Sequence, residues 1–157
     1  MIKTNAMRII EKEKIPYTMH TYPVTEDHIE GYVVASHINK AVYEVFKTLV
    51  TKGSRDYFVF VVPMDEVLDL KKAAKSVGEK SIEMIAVKDI NKVTGYIRGG
   101  CSPVGMKKLY KTVIHESAKD LKTLVVSAGK RGYQIEINPF DLAKIVNANF
   151  ENIVQNG

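Results

Sequence analysis

Two apolar segments separated by a short polar turn constrain the fold of this chain more than any other feature. Residues 42–51 are rich in β-branched and aromatic side chains, and residues 57–62 form an unbroken apolar run. The turn between them, 52–56, contains Gly53 and Asp56, residue types that favour tight turns. This pattern predicts a β-hairpin, and the apolar run indicates that its second strand is buried on both faces.

The rest of the chain is predicted to form short helices and strands. Asn5 and Asp69 are placed to cap two helices, Pro16 is expected to end the first, and Pro139 stands at the first position of the last. The predicted helices cover residues 5–14, 30–38, 69–77, 88–93 and 140–147, and further strands cover 17–22, 82–87, 111–115, 123–127 and 132–137. Because strands outnumber helices and the links between strands are short, we predict an α/β fold of the mixed α+β type.

Length and composition favour one globular domain, residues 1–157. Hydrophobic residues make up 45% of the chain, and the longest apolar run, 58–63, is far shorter than a membrane span of about 20 residues. No leader pattern opens the sequence. The chain has one cysteine, so an internal disulfide is impossible, and we expect a cytoplasmic location without membrane contact.

The charge balance is compatible with a nucleic-acid partner. The formal net charge is +5 at pH 7. Binding of a basic protein to a polyanion is driven by counterion release. Many proteins without such a partner are mildly basic as well, so charge alone leaves both interpretations open.

Several common catalytic motifs are absent. Residues 128–131 resemble the end of a P-loop, but Leu124 and Arg131 replace the glycine and hydroxyl residue that it requires. His115 and Glu116 lack the second histidine of a zinc-binding His-Glu-x-x-His motif. The four histidines have no ligand spacing, so we predict no metal site and no cofactor.

Cys101 lies in a glycine-rich loop, where backbone N–H groups can stabilise a thiolate. One interpretation is therefore a cysteine nucleophile. The alternative is a small side chain that fills a turn, and we favour it because no histidine near Cys101 in sequence supplies a base.

Lys47 is the more informative residue. In the first strand of the hairpin it shares a face with Val45 and Leu49, so it interrupts an apolar surface. Burial of an ammonium is costly unless the group is paired or used in function. An edge strand, or a lysine whose long side chain reaches water, would also explain the pattern.

Two glycine-rich loops, 99–105 and 127–132, are the other candidates for a site. Glycine allows the backbone to approach a ligand closely and to turn N–H groups toward an anion. Gly99, Gly100, Ser102 and Ser127 are therefore candidate substrate-binding residues. The alternative is that both loops are simple tight turns between strands.

These loops carry a resemblance that extends over essentially the whole chain. The segments GYIRGGCSPVG (95–105) and VSAGKRG (126–132) resemble the signature loops of the YbaK/EbsC family of bacterial aminoacyl-tRNA deacylases. The segments VFKTLV (45–50), DLKKAA (69–74) and DLAKI (141–145) resemble the family at the matching places in its order. The resemblance implies a curved mixed β-sheet or partial barrel flanked by helices, shared with the editing domain of some prolyl-tRNA synthetases.

The resemblance also implies an activity, the hydrolysis of the ester that joins cysteine to tRNA(Pro), with Cys-tRNA(Cys) as a further substrate. Lys47 matches the family's main functional residue, which holds the substrate. The thiol of the mischarged cysteine is thought to attack its own ester carbonyl, a mechanism that needs positioning more than a protein nucleophile. Cys101 stands where relatives often have an apolar residue.

Further residues match the substrate pocket of the family. Gln134 stands where some relatives have an acidic residue, which leaves the preferred amino acid open. The implied pocket residues are Tyr22, Ile29, Thr48, Gly100, Ser127 and Gln134.

Basic residues near these loops are candidates for binding the tRNA backbone, with little sequence readout. The implied partners are mischarged tRNA(Pro) and, transiently, prolyl-tRNA synthetase, and the chain is expected to be a monomer or a weak homodimer. A module that binds aminoacyl-tRNA or the synthetase without catalysis is the alternative. The candidate tRNA contacts are Lys71, Lys72, Lys107, Lys108, Lys130 and Arg131, with Lys75 and Lys111 beside them.

Overall fold

The computed structural model describes residues 3–23 and 31–157, with side chains in the second range described from residue 34. The predicted pocket residue Ile29 lies outside the described residues. The helices are Asn5–Lys12 (α1), Gly31–His37 (α2), Leu70–Ser76 (α3), Ile90–Thr94 (α4) and Pro139–Val146 (α5). The strands are Thr18–Thr21 (β1), Phe46–Lys52 (β2), Tyr57–Pro63 (β3), Glu83–Met84 (β4), Lys111–His115 (β5), Leu124–Ser127 (β6), Tyr133–Ile137 (β7) and Asn149–Glu151 (β8).

The predicted hairpin is confirmed. β2 and β3 pair antiparallel, with Lys47 opposite Val62 and Lys52 opposite Tyr57. The strand prediction was wrong for its first residues, because Val42–Glu44 forms a 3₁₀ turn that leads the chain from α2 into β2.

The helix caps follow the local sequence. Asp69 accepts hydrogen bonds from the backbone N–H groups of Lys71 and Lys72, both at 3.0 Å, and so begins α3 as predicted. Pro139 follows the capping residue of α5 and stands in its first turn, also as predicted. For α1 the prediction was wrong, because Thr4 rather than Asn5 provides the cap.

The strands form two sheets, in the orders β1-β7-β6 and β4-β2-β3-β5-β8. A parallel bridge between Val45 and Val125 joins them. Antiparallel and parallel pairs are both present, since β3 pairs parallel with β5 and β5 with β8. The mixed α/β class is therefore confirmed, and in the described ranges neither sheet closes into a barrel.

Two edge strands differ from the prediction. β4 is only two residues long, and both of its side chains are exposed, so little packing holds a longer strand there. β8 was not predicted, because its sequence, Asn-Phe-Glu, has no distinctive pattern, and it forms by pairing with β5.

The sheets separate two layers of packing. The inner face carries Val61, Ile114 and Ile135 and is covered by α1 and α5. The outer face is covered in two places, by α3 over Phe60 and Val62, and by α2 over Val45 and Val125. In the part of the chain that the structure describes, every helix is too short or too polar to span a membrane.

Candidate functional site

The strand register aligns polar side chains across the outer face. His20 of β1 lies opposite Gln134 of β7, and Gln134 lies opposite Ser127 of β6. Residues paired across neighbouring strands point to the same face of a sheet. Val125 belongs to the outer layer, and Ser127, two residues later, shares its side.

Lys47 continues this row on the second sheet. The bridge between Val45 and Val125 is parallel, and Lys47 and Ser127 each follow it by two residues, so both side chains point to the outer face from neighbouring strands. We call His20, Gln134, Ser127 and Lys47 the polar row. It crosses the junction of the two sheets, between the parts of the outer face that α2 and α3 cover.

Lys47 is half-buried. Within residues 3–23 and 31–157 it makes no hydrogen bond and no ion pair within 4 Å. Burial lowers its pKa from the ordinary value of 10.5, and the nearby charges of Asp65 and Glu66 oppose that change. Lys47 is therefore a desolvated donor with open hydrogen-bonding capacity.

Glu66 is a residue that the sequence interpretation missed. It follows β3 in a turn closed by its own N–H, which donates to the carbonyl of Pro63 at 3.0 Å. The Oε2 atom is buried and has no hydrogen-bond partner among the described residues. Asp65 beside it is exposed, so the two acidic side chains differ in environment.

Thr48, predicted as a pocket residue, points away from Lys47. Its partner in the register is Val61 of the inner face. The hydroxyl oxygen of Thr48 is buried there, without a partner in the part of the chain that is described. Any contact between Thr48 and a ligand near Lys47 would therefore use its backbone rather than its hydroxyl.

The two glycine-rich loops pack against each other. A Cβ added to Gly100 would lie 3.0 Å from the backbone nitrogen of Arg131, so only glycine allows this approach without movement. Gly99 adopts φ +85° and lies against the side chain of Arg131, which restricts this position to glycine as well. The loops thus form one border of the site beyond Ser127.

The structure does not support Gly100 as an oxyanion donor. Its N–H donates to the carbonyl of Ile97 at 3.0 Å and closes a turn, and the residue is buried. Its role in this geometry is the close contact between the loops.

The two loop serines have related local contacts but different access. Ser102 is fully buried, and its hydroxyl accepts from the N–H of Val104 at 3.2 Å, so it cannot touch a substrate in this conformation. Ser127 is half-buried and accepts from the N–H of Gly129 at 3.2 Å. Ser127 is therefore the more accessible of the two hydroxyls, and it lies on the same face as Lys47.

Tyr96 fills the space between the loops. Its hydroxyl donates to the carbonyl of Val104 at 2.5 Å, and a Cβ on Gly129 would lie 2.7 Å from its ring. Burial raises the pKa of Cys101 to about 11, opposed by a hydrogen bond with Thr94. Cys101 is thus a neutral thiol near pH 7, which supports the packing interpretation over the nucleophile.

Glu136 forms a hydrogen-bonded network that the sequence interpretation also missed. Its carboxylate contacts Lys40 Nζ at 2.7 Å, His20 Nε2 at 2.8 Å and Thr123 Oγ1 at 2.5 Å. Burial raises its pKa, but the three hydrogen bonds together outweigh that effect and lower the pKa to about 2. The network ties the segment after α2 to the sheet and fixes the end of the polar row.

Other predicted pocket residues lie on the same side. Tyr22 is half-buried, packs against the cluster under α2, and donates its N–H to the carbonyl of Gly132 at 2.9 Å. Gln134, at 7% exposure, is buried within the polar row. The described part of the chain contains no cluster of histidine, cysteine or acidic residues suited to hold a metal ion.

Some of the candidate tRNA contacts have partners within the fold, and these include two exposed lysines, Lys107 and Lys130, whose Nζ lies 5.3 Å from the ring centre of Tyr133. Lys72 donates to the carbonyl of Val154 at 2.9 Å, and Lys107 donates to that of Lys92 at 3.1 Å, so both stabilise the fold. Arg131 packs on Gly99. Besides Lys107, the exposed candidates stand on three separate elements: α3, the loop before β5 with the start of β5, and the β6–β7 turn. They are Lys71, Lys75, Lys108, Lys111 and Lys130.

Comparison with known proteins relates this chain to tRNA editing domains. Residues 32–145 match the model of the aminoacyl-tRNA editing domain. The chain is 45% identical over 152 residues to an Enterococcus faecalis protein with the provisional name Cys-tRNA(Pro)/Cys-tRNA(Cys) deacylase EbsC, covering 96% of this chain and 93% of that protein. It is 31% identical over 100 residues to the proline–tRNA ligase of Fervidobacterium nodosum, covering 64% of this chain and 17% of the ligase.

A solved structure gives the same result for the fold. A protein provisionally described as a trans-editing enzyme for prolyl-tRNA synthetase superposes with a TM-score of 0.84, over 98% of this chain and 99% of the other. The two sequences are 19% identical, so this likeness shows the fold alone. The fold implied by the resemblance of the sequence is thus confirmed.

Proposed function

Because this chain belongs to the family of aminoacyl-tRNA editing domains, we propose that it is a trans-editing deacylase that releases cysteine from mischarged tRNA(Pro), with Cys-tRNA(Cys) as a second substrate. The relative with 45% identity bears the name of that activity. Cysteine and proline are similar in size, and a single pocket discriminates poorly between such amino acids. A separate hydrolytic site removes the resulting error.

The observation that carries the proposal is the state of Lys47. Lys47 is half-buried, its ammonium has no partner among the described residues, and it lies two residues beyond the bridge of Val45 with Val125, on the same face as Ser127. A donor held in a desolvated site stabilises a developing oxyanion more strongly than one in water. Lys47 is therefore suited to hold the ester carbonyl of an aminoacyl group.

We propose that the substrate supplies its own nucleophile. The sulfur of the cysteinyl group attacks the ester carbonyl carbon, a C–S bond forms, and the C–O bond to the terminal ribose breaks. The thiol proton ends on the ribose oxygen, and water opens the resulting cyclic thioester to give cysteine. In this scheme Lys47 donates to the carbonyl oxygen, while Gln134, Tyr22 and the border formed by the two loops position the side chain.

The partner is a charged tRNA, bound through its phosphate backbone by the exposed lysines Lys71, Lys75, Lys108, Lys111 and Lys130. Because such contacts carry little sequence information, we propose that a transient complex with prolyl-tRNA synthetase selects tRNA(Pro).

A deacylation assay tests the proposal. The purified protein is incubated with tRNAs charged with cysteine, alanine, serine or proline, and the charged fraction is followed over time. We expect release of cysteine above all, and slower release of serine and alanine because they lack the thiol. Saturable tRNA binding without hydrolysis of any substrate would instead identify a binding module.

A further inference from the structure

Glu66 holds a carboxylate oxygen whose surroundings the proposed chemistry does not explain. Its Oε2 atom is buried and lacks a hydrogen-bond partner within the described residues. A buried polar atom without a partner costs free energy, and such atoms are rare in folded proteins. A ligand that supplies a donor would remove that cost.

The position of Glu66 relates it to Lys47. Lys47 lies opposite Val62, and the pairing of β3 with β5 ends at Val61 and Ile114, one residue before Val62 and His115. Glu66 follows the end of β3, where Pro63 pairs with Phe46 next to Lys47 and the carbonyl of Pro63 accepts from the N–H of Glu66 at 3.0 Å. The charges of Asp65 and Glu66 both act on Lys47, and that of Glu66 also acts on His115. Glu66 and Ser127 therefore lie on opposite sides of Lys47.

In the described part of the chain, the basic side chains nearest Glu66 form no ion pair with its carboxylate. Lys47 forms no ion pair within 4 Å in the described part of the chain. The Nδ1 atom of His115 accepts from the N–H of Ile153 at 3.3 Å, so this ring nitrogen is bound to the C-terminal segment. Lys72, which also acts on His115, donates to backbone carbonyls.

The aminoacyl ester offers a matching donor. Its α-amino group is attached to the carbon next to the ester carbonyl, so a residue beside Lys47 can reach the amine when Lys47 holds the carbonyl. The amine carries N–H donors and, when protonated, a positive charge that Lys47 repels and a carboxylate attracts.

We propose that Glu66 binds the α-amino group of the aminoacyl-tRNA, so that Lys47 and Glu66 together recognise the carbonyl and the amine of the same substrate. This inference rests on the proposed deacylase function, and it adds selection for a free α-amino group. Peptidyl-tRNA and N-formylated tRNA, whose amines are acylated, would be rejected.

The experiment compares cysteinyl-tRNA(Pro) with its N-acetylated form, which keeps the thiol and the ester. We expect wild-type kcat/KM to favour the free amine by about 10- to 100-fold, the effect of one charge-assisted hydrogen bond. In Glu66→Gln this preference falls to within about threefold, through loss of the free-amine substrate. Asp65→Asn removes the same charge from an exposed neighbour and keeps the wild-type preference.

Two outcomes would overturn the proposal. Equal wild-type rates for the two substrates would do so without any variant, so a folding defect in Glu66→Gln cannot hide the result. An equal loss on both substrates in Glu66→Gln would show that Glu66 acts only through the charge of Lys47.

Failure of the deacylase function itself is measured separately. A cysteinyl-adenosine analogue with an amide in place of the ester binds without reacting, and calorimetry compares its free and N-acetylated forms. If wild type hydrolyses no charged tRNA, the deacylase proposal fails. A 10- to 100-fold binding preference for the free amine would still support Glu66 as an amine site, and equal binding would overturn it.

Discussion

Glu136 and Glu66 differ in whether their carboxylates have hydrogen-bond partners among the described residues. Glu136, in β7, receives hydrogen bonds from Lys40, His20 and Thr123. Glu66, beyond β3, keeps a buried oxygen without a partner in the described part of the chain. Lys47 stands between them on β2, also without a partner there. On one side of the site the polar groups are hydrogen-bonded to each other. On the other side, polar groups have no hydrogen-bond partner among the described residues.

The difference shows what each region can contribute. A satisfied polar network fixes one arrangement of the chain and gains little from a ligand. Unsatisfied groups cost stability in the free protein and release that cost on binding. We therefore expect substitutions at Glu136 to act mainly on folding and those at Lys47 to act mainly on turnover.

The largest effect is expected for Lys47→Ala. Loss of a donor to the developing oxyanion should reduce kcat for cysteine release by about 100-fold or more. Because the ammonium has no partner in the described residues, thermal stability should stay the same or rise. Deacylation rates and a melting curve measure the two effects.

Lys52→Ala is the matched control, since Lys52 ends the same strand with an exposed side chain over the ring of Tyr57. It should leave kcat within about twofold of wild type, because an exposed cation–π contact is worth only about 0.5–1 kcal/mol. Wild-type turnover by Lys47→Ala would remove Lys47 from the mechanism.

Glu136→Gln should weaken the hydrogen-bonded network around this residue and lower the free energy of unfolding. Folding lowers the pKa of Glu136 from 4.5 to about 2, so its stabilisation is present above pH 4.5 and is lost as pH falls toward 2. That pKa change corresponds to about 3 kcal/mol for this mostly buried side chain. Urea unfolding at pH 7 and pH 3 should show a large loss in the variant at pH 7 and a smaller one at pH 3.

Glu83→Gln, on the exposed β4 strand, is the control and should leave the free energy of unfolding within about 0.5 kcal/mol of wild type. An equal loss for Glu136→Gln at both pH values would contradict the assignment, because the effect would then not depend on ionisation.

Gly100→Ala tests the border between the loops. The added Cβ would lie 3.0 Å from the backbone nitrogen of Arg131, so one loop must shift by a few tenths of an ångström. We expect a loss of about 1–2 kcal/mol in stability and about tenfold in kcat. Gly78→Ala, at φ +75° with open space around it, imposes backbone strain far from the site and should affect stability alone.

The smallest effect is expected for Cys101→Ser. Burial holds the pKa of Cys101 at about 11, so the residue is a thiol at neutral pH and contributes packing. Deacylation should stay within about twofold of wild type, and stability should fall by about 1 kcal/mol at most. Loss of activity in a folded Cys101→Ser protein would restore the cysteine nucleophile as an explanation.

The parts of the fold that the sequence predicts are those with local causes. The hairpin and the helix that begins after Asp69 depend on turn residues, capping and short-range patterns, and they were located correctly. β8 was missed because its pairing with β5 involves residues more than 30 positions apart. The turn at Val42–Glu44 was missed because its residue types are those of a strand.

The site shows the same division. Lys47 could be singled out because a charge on an apolar strand face is visible in the sequence. Glu66 and Glu136 were missed because no local sequence pattern shows whether a carboxylate has hydrogen-bond partners. Those partners are visible only in the folded chain. Ser102 was a candidate substrate-binding residue because of its place in a glycine-rich loop, and its complete burial is visible only in the folded chain.

The bridge between Val45 and Val125 places the candidate site at the junction of the two sheets. A ligand that contacts both Lys47 and Ser127 would link the two sheets, because each residue belongs to a different sheet. When such a ligand is bound, amide hydrogen exchange should slow most at the junction of the two sheets, and the sheets should unfold with greater cooperativity. Binding of the substrate would therefore also stabilise the contact between the two sheets.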